Sequence, residues 1–233
     1  MGGARKVEDV MSYFPSEQTQ AREAGRLSAG LLGKVFGLLA FSLVFAAVGG
    51  VVGVQLGRSW FLPFVIAEFA LIFAIQALRD REGLNFALLY AFAFASGATI
   101  GPIIERYIAA GMASAVLQAG VVTAVMTAGL GSYALVTRRD LSRLQPFLFA
   151  GLLGLVVAMI VNIFVGGSVM YGVLSWAGAL LFSGMLVFDV NRAKYLPDTM
   201  GNAVVVTLGI YLDVVNLFLF ILRILGGGVG GRR

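Results

Sequence analysis

Long apolar segments alternate with short polar linkers along most of this chain. Seven such segments follow a polar leader, and a Gly-rich tail follows the last of them. A run of about 20 apolar residues matches the thickness of the hydrocarbon core of a bilayer, so each segment is predicted to form a transmembrane helix. The predicted spans cover residues 31–56, 60–78, 85–104, 112–136, 147–165, 169–190 and 203–225.

These spans divide the chain into three parts. Residues 1–30 are interpreted as a polar segment on the cytoplasmic side, residues 31–225 as one seven-helix transmembrane domain, and residues 226–233 as a basic, Gly-rich tail. The leader lacks the early apolar core of a signal peptide, and we expect it to be retained. The predicted fold class is an all-α integral membrane protein.

Composition excludes several classes of protein. Apolar residues make up 59% of the chain and charged residues 12%, and the mean hydropathy is +0.93. Soluble domains carry about 25% charged residues, so this chain is too apolar to form one. With no Cys and no His, it lacks thiolate nucleophiles, the usual zinc ligands and the usual general base. We therefore expect no enzymatic activity and no cofactor.

The distribution of Lys and Arg predicts the orientation in the membrane. The leader and every second linker together hold twelve of these residues, whereas the intervening linkers hold only Arg58 and Arg106. Because cytoplasmic loops carry the excess of positive charge, the N-terminus is predicted to be cytoplasmic. Arg223 and the basic tail then fall outside, against the rule, so the last run is interpreted as a full span, with a re-entrant segment as the alternative. Basic residues scattered in this way do not form a nucleic-acid-binding surface.

Three carboxylates lie inside apolar runs: Glu68, Asp189 and Asp213. Each would cost about 2.5–3.5 kcal/mol at the centre of a span if it were ionised and alone. Asp189 and Asp213 lie on consecutive helices joined by a short loop, so they could meet at a similar depth. At a separation of about 5 Å and an effective dielectric near 20, their repulsion would be roughly 3 kcal/mol. Such a pair would share one proton and titrate as a unit; alternatively, each aspartate bonds a nearby polar group and only stabilises the bundle.

Two further residues could belong to the same polar interior. Arg79 follows Glu68 by three helical turns and therefore shares its face, from which it could reach inward to a carboxylate. Equally, its side chain could extend to the lipid headgroups, as arginines at helix ends commonly do. Asn216, three residues after Asp213, shares the face of that aspartate and is a candidate for an ion pathway.

Glycine and proline positions predict how the helices pack and end. Small residues at helical spacing allow helices to approach closely, and here packing within the molecule is favoured over dimerisation. Pro102 is predicted to kink or end the third span, and the turn at residues 196–199 to end one helix and cap the next. The glycines concerned are Gly49, Gly53, Gly57, Gly97 and Gly101.

Three stretches of this sequence resemble the transmembrane Bax inhibitor motif family. They are NFALLYAFAFASGATIGP at residues 85–102, FDVNRAKY at residues 188–195 and GIYLDVVNLFLFILRIL at residues 209–225. The order of the runs is similar as well, so the resemblance covers nearly the whole chain after the leader. The most specific part is an aspartate followed by Val-Val-Asn-Leu-Phe.

The resemblance implies a seven-helix fold in which six helices wrap around a central C-terminal helix. It also implies that Asp189 and Asp213 form a pH-sensing, hydrogen-bonded pair, that Arg79 acts as a latch for the closed state, and that Glu68 matches an acidic position of the second span. Members of the family are linked to pH-sensitive calcium leak. The longer leader and the basic tail depart from the family pattern.

Three functions are compatible with these features. The first is a pH-sensitive calcium or cation leak channel, in which Asp189 and Asp213 bind calcium transiently and Glu68 and Asn216 line the pathway, since oxygen ligands suit a hard cation. The second is a regulatory adaptor that transports nothing and binds membrane partners such as a quality-control protease. The third, an intramembrane enzyme, is disfavoured by the absence of His and Cys. The expected partners are the lipid bilayer, calcium ions, protons and other membrane proteins, and the expected location is a bacterial inner membrane.

Overall fold

Seven helices account for most of the chain. The computed structural model describes residues 17–81 and 83–227, with side chains from residue 30 onward except at position 58. The N-terminal part of the leader and the tail after residue 227 lie outside the described residues. Short 3₁₀ turns precede the second and fifth helices. The helices are α1 (Glu17–Leu56), α2 (Phe61–Ala77), α3 (Leu84–Ala109), α4 (Ala113–Val136), α5 (Gln145–Val165), α6 (Ser168–Ala193) and α7 (Met200–Leu225).

Each predicted span corresponds to one of these helices, which confirms the all-helical fold class. In the described part of the chain, six helices are long and apolar enough to cross a bilayer. The exception, α2, has 17 residues, or roughly 25 Å of rise, and the 3₁₀ turn at Arg58–Trp60 extends it. Consecutive helices run in opposite directions, so the bundle has two ends. We call the end that holds Lys34 and Lys194 the first end, and the end that holds Tyr107 and Arg223 the second end.

Two boundaries differ from the prediction. α1 begins at Glu17 rather than at residue 31, because the second half of the leader is rich in Glu, Gln, Ala and Arg, which favour helix. α3 continues through Pro102 to Ala109 instead of ending near the proline. Pro102 removes the hydrogen bond to the carbonyl of Ala98, and that carbonyl instead lies against Gly53 of α1. Close packing against a neighbouring helix is what allows a proline inside a membrane helix.

Glycines join α1 and α3 within the molecule. At four positions a Cβ atom would overlap the backbone of the opposite helix, so only glycine permits the observed approach. Gly57 does not take part, since it follows the end of α1 with a φ of 77°. The prediction of packing within the molecule is confirmed for the other glycines. The contacting pairs are Gly49 with Phe94, Gly53 with Ala98, Gly97 with Ala46 and Gly101 with Gly50.

α7 is the most buried helix of the bundle. More than half of the residues in its most apolar stretch are buried inside the protein. α7 packs against α1, α4 and α6, with smaller contacts to α2 and α3. α5 packs chiefly against α6. The arrangement of all six other helices around α7 therefore stays a prediction.

Polar contacts at the first end fix the start of α7. Lys34 Nζ donates to Asp198 Oδ1 at 2.9 Å and forms an ion pair with it. The Thr199 hydroxyl accepts a hydrogen bond from the Asn202 amide at 3.2 Å and caps α7. The predicted capping turn is confirmed. Asp198 in this turn also links the start of α7 to α1 through Lys34.

Candidate functional site

Asp213 is enclosed where α6 meets α7. Its side chain is 1% exposed, and its Oδ2 atom has no hydrogen-bond partner among the described residues. The half-buried Asp189 lies within electrostatic range of it. The Asp189 carboxylate packs against Gly209, one turn before Asp213 on the same face of α7. The structure thus brings together the two aspartates that the sequence singled out.

The cation beside this pair is Arg192. It follows Asp189 by three residues on α6 and lies within electrostatic range of it. Its side chain is exposed, so its attraction is weakened by solvent. Among the described residues, the positive charge that acts on Asp189 therefore comes from the direction of the first end.

Arg79 lies at the first end of the bundle, and its guanidinium is next to Asp80 rather than next to the aspartate pair. Its Nε atom is 3.6 Å from Asp80 Oδ2, and its side chain is 56% exposed. Its carbonyl accepts a hydrogen bond from Asn85 Nδ2 at 3.0 Å and lies against Gly201 at the start of α7. In this structure the backbone of Arg79 docks α2 onto α7 while the guanidinium pairs with its neighbour. The latch role stays a prediction.

Glu68 belongs to a second polar group, between α2, α3 and α7. The Thr99 hydroxyl donates a hydrogen bond to the half-buried Glu68 carboxylate. Tyr211 of α7 donates to the Ala93 carbonyl at 3.4 Å, lies within hydrogen-bonding reach of Ser96 and is within electrostatic range of Glu68. Since Tyr211 precedes Asp213 by two residues, α7 carries one polar group toward α6 and another toward α3.

Asn216 does not join the aspartate pair. Its Nδ2 atom donates to the Leu212 carbonyl of its own helix at 2.8 Å. This bond satisfies the amide N–H group within the helix. The bond therefore does not link Asn216 to the carboxylates, and its role in an ion pathway stays a prediction.

A large cavity in the bundle does not contain the predicted carboxylates. It has a volume of about 1090 Å³ and lies between α1, α3, α4 and α7, with mostly apolar walls. Tyr211 lines it, whereas Glu68, Asp189 and Asp213 do not. Among the described residues, no group of three or more Asp or Glu side chains could hold a metal ion together. This cavity is therefore separate from the predicted carboxyl groups.

The end of α6 also holds the end of α4. Lys194 Nζ caps α4 by donating to three of the last carbonyls, which suits a cation at a helix C-terminus. Its partial burial lowers the pKa of Lys194. Asn191 ties down the next loop, accepting from the Leu141 amide at 3.2 Å and donating to the Arg139 carbonyl at 3.2 Å. The acceptors of Lys194 are the carbonyls of Ala134, Leu135 and Thr137.

Sequence reasoning missed several residues of these sites. Gly209 could have been found from its spacing, because a small residue one turn before Asp213 leaves room for a facing side chain. Thr99 and Tyr211 lie in the stretches that carry the family resemblance, but their partners are on other helices. The pairing of a hydroxyl with a carboxylate depends on how each helix is rotated about its axis. The sequence does not define this rotation when all faces of a helix are apolar.

Seven apolar helices that enclose carboxyl groups define a polytopic α-helical membrane protein. A family model described as "Inhibitor of apoptosis-promoting Bax1" matches residues 29–230. This match covers most of the chain, and the chain therefore belongs to that family, the Bax inhibitor motif family that the sequence resembles.

Relatives in other organisms share most of their length with this chain. An "Uncharacterized membrane protein" of Vibrio cholerae is 32% identical over 201 residues, which cover 84% of this chain and 88% of the relative. "Inner membrane protein YbhL" of Escherichia coli is 29% identical over 219 residues, covering 88% and 90%. "Protein lifeguard 4" of Mus musculus is 32% identical over 162 residues, covering 70% and 66%. The resemblance thus extends along the helical bundle.

Proposed function

We propose that this protein is a pH-sensitive calcium leak channel of a bacterial inner membrane, with its N-terminus in the cytoplasm. Ionisation of the Asp189–Asp213 pair controls its opening. The observation that carries this proposal is the enclosure of Asp213 at the α6–α7 contact, with a carboxylate oxygen that has no described partner and a second aspartate in electrostatic range.

Protonation acts directly on this helix contact. Two carboxylates about 5 Å apart repel each other by roughly 3 kcal/mol at an effective dielectric near 20 when both are ionised. A proton shared by the pair removes that repulsion, which by itself stabilises the α6–α7 contact, and it also weakens the attraction between the pair and nearby cations. In the proposal the loss of attraction is the larger effect, and protonation therefore favours opening. The resulting shift between closed and open states is limited by how differently the two states bind the proton.

The closed character of this structure fits such a gate. Asp213 is almost fully buried, and neither aspartate reaches the large cavity. A cation can use Asp189 and Asp213 as oxygen ligands only after α6 and α7 move apart. In the proposal, Glu68, which lies between α2, α3 and α7, is a further ligand along the pathway. Carboxylates suit calcium, and weak, transient binding suits a leak pathway. In the proposal, the positive charge of Arg79 at the first end attracts the ionised pair and favours the closed state. Protonation of the pair weakens this attraction, so mild acidification favours the open state.

Calcium flux into liposomes tests the proposal. Purified protein is reconstituted into vesicles that contain a calcium-sensitive dye, and calcium is added outside across a pH series. The proposal predicts a leak above that of protein-free vesicles, which increases on mild acidification. A rate equal to that of protein-free vesicles at every pH would rule out the channel and favour the adaptor function. The adaptor has less structural support, because the α1–α3 glycines are already used within the molecule.

A further inference from the structure

Arg223 lies on a fixed aromatic support at the second end of the bundle. Its Cζ atom is 5.7 Å from the centroid of the Tyr171 ring and 5.3 Å from that of Phe220. The Phe220 ring is itself stacked on Phe182, with centroids 5.8 Å apart, and it packs against Gly178. A guanidinium that lies over rings keeps the N–H donors at its edge available.

Tyr107 completes a three-helix arrangement around this guanidinium. Its ring lies against Gly226, just after the end of α7, where a Cβ atom would overlap it. Tyr107 is within electrostatic range of both Arg223 and Tyr171. Helices α3, α6 and α7 therefore bring one guanidinium and two tyrosine side chains near one another at the second end.

No described carboxylate neutralises Arg223. Both ion pairs found among the described side chains lie at the first end. Glu105 precedes Tyr107 by two residues, but it lines the large cavity on the side of α3 that faces α1 and α4. The positive charge of Arg223 is thus held in a half-buried position without a protein counter-charge in the described part of the chain.

Arg223, Tyr107 and Tyr171 lie near the end of the bundle, at the depth expected for the lipid headgroups. Arg223 lies two residues before the end of α7, and tyrosines are enriched where a membrane meets water. Guanidinium groups bind phosphate through paired N–H bonds, and phenol hydroxyls can donate further bonds. We propose that Arg223, Tyr107 and Tyr171 bind the phosphate group of a membrane phospholipid. This site is separate from the carboxyl groups and does not depend on calcium leak.

Lipid titration followed by native mass spectrometry tests this site. The full-length protein in detergent is titrated with dioleoyl phosphatidylglycerol, and the same titration is made with dioleoylglycerol, which has the same chains without the phosphate. One phosphatidylglycerol should bind tightly, and dioleoylglycerol should not. Arg223→Gln should weaken phosphatidylglycerol binding at least about tenfold, since it removes charge-assisted hydrogen bonds. Arg106→Gln, which changes an exposed arginine at the same end, should stay within about twofold of the wild type.

A double variant keeps the test independent of folding defects. Tyr107→Phe with Tyr171→Phe retains both rings and removes only the hydroxyls, and it should weaken binding by about threefold or more. Wild-type affinity in both this variant and Arg223→Gln would overturn the proposal. So would equal binding of dioleoylglycerol. Displacement of the lipid by millimolar inorganic phosphate would overturn the assignment to a phospholipid and identify a site for a free anion.

Discussion

The carboxylate of Asp189 on α6 lies against Gly209 on α7, where even a methyl group would overlap it. Gly209 is one turn before Asp213, so the contact fixes the spacing between the two aspartates. The charge of this pair is therefore coupled to the way in which α6 and α7 pack.

Gly209→Ala should disturb this contact. The added methyl group must displace the Asp189 carboxylate or separate the helices, and overpacking of this kind costs about 1–3 kcal/mol. We expect a lower midpoint of thermal unfolding in detergent and a weaker pH dependence of calcium leak. Gly129→Ala on α4 is the matched control, since no atom lies within 4 Å of its added Cβ. Equal stability of the two variants, with a wild-type pH response in both, would show that the contact is unimportant.

Infrared spectroscopy should reveal coupling between the aspartates. In the wild type, the carboxyl signals of Asp189 and Asp213 should disappear in two separate steps as the pH rises, because the first ionisation opposes the second. Asp213→Asn should leave a single step for Asp189. An Asp189 titration identical in wild type and variant would mean that the groups do not interact.

The sequence predicted the helices better than the contacts between their side chains. Runs of apolar residues are long enough to define all seven spans, and two aspartates on neighbouring spans stand out because charges are costly in lipid. The partners of these charges could not be found in this way. Arg79 shares a face with Glu68 in the sequence, yet its guanidinium lies on Asp80, because a long side chain at a helix end has several acceptors within reach.

Thiol labelling should establish the orientation in the membrane. The charge distribution predicts a cytoplasmic N-terminus, and seven spans then place the C-terminus outside. The chain has no native Cys, so single cysteines at Ser12 and Val229 can be labelled with an impermeant reagent on intact cells. Only the cysteine at position 229 should react. Labelling of both positions, or of neither, would be incompatible with seven spans.

Arg79→Ala tests the latch. If Arg79 stabilises the closed state, the variant should leak more calcium at neutral pH and depend less on pH than the wild type. Arg81→Ala, which changes an exposed arginine in the same loop, is the matched control and should behave as the wild type does. If Arg79→Ala leaks as the wild type does at every pH, the side chain of Arg79 is not a latch. Its role would then be the structural one of its backbone contacts with Asn85 and Gly201.

The pH dependence of calcium leak in Asp213→Asn tests the central claim most directly. Dye-loaded liposomes containing wild type, Asp213→Asn or Asp140→Asn are compared between pH 5 and 8, a range that lies above the ordinary pKa of an aspartate and includes physiological pH. Asp140 is a suitable control because hydrogen bonds from the Ser142 hydroxyl and amide lower the pKa of Asp140, which keeps it ionised throughout. One shared proton can change the leak by at most about tenfold per pH unit. We predict an acid-activated leak in wild type and Asp140→Asn and a flat response in Asp213→Asn. An unchanged pH response in Asp213→Asn would contradict the account.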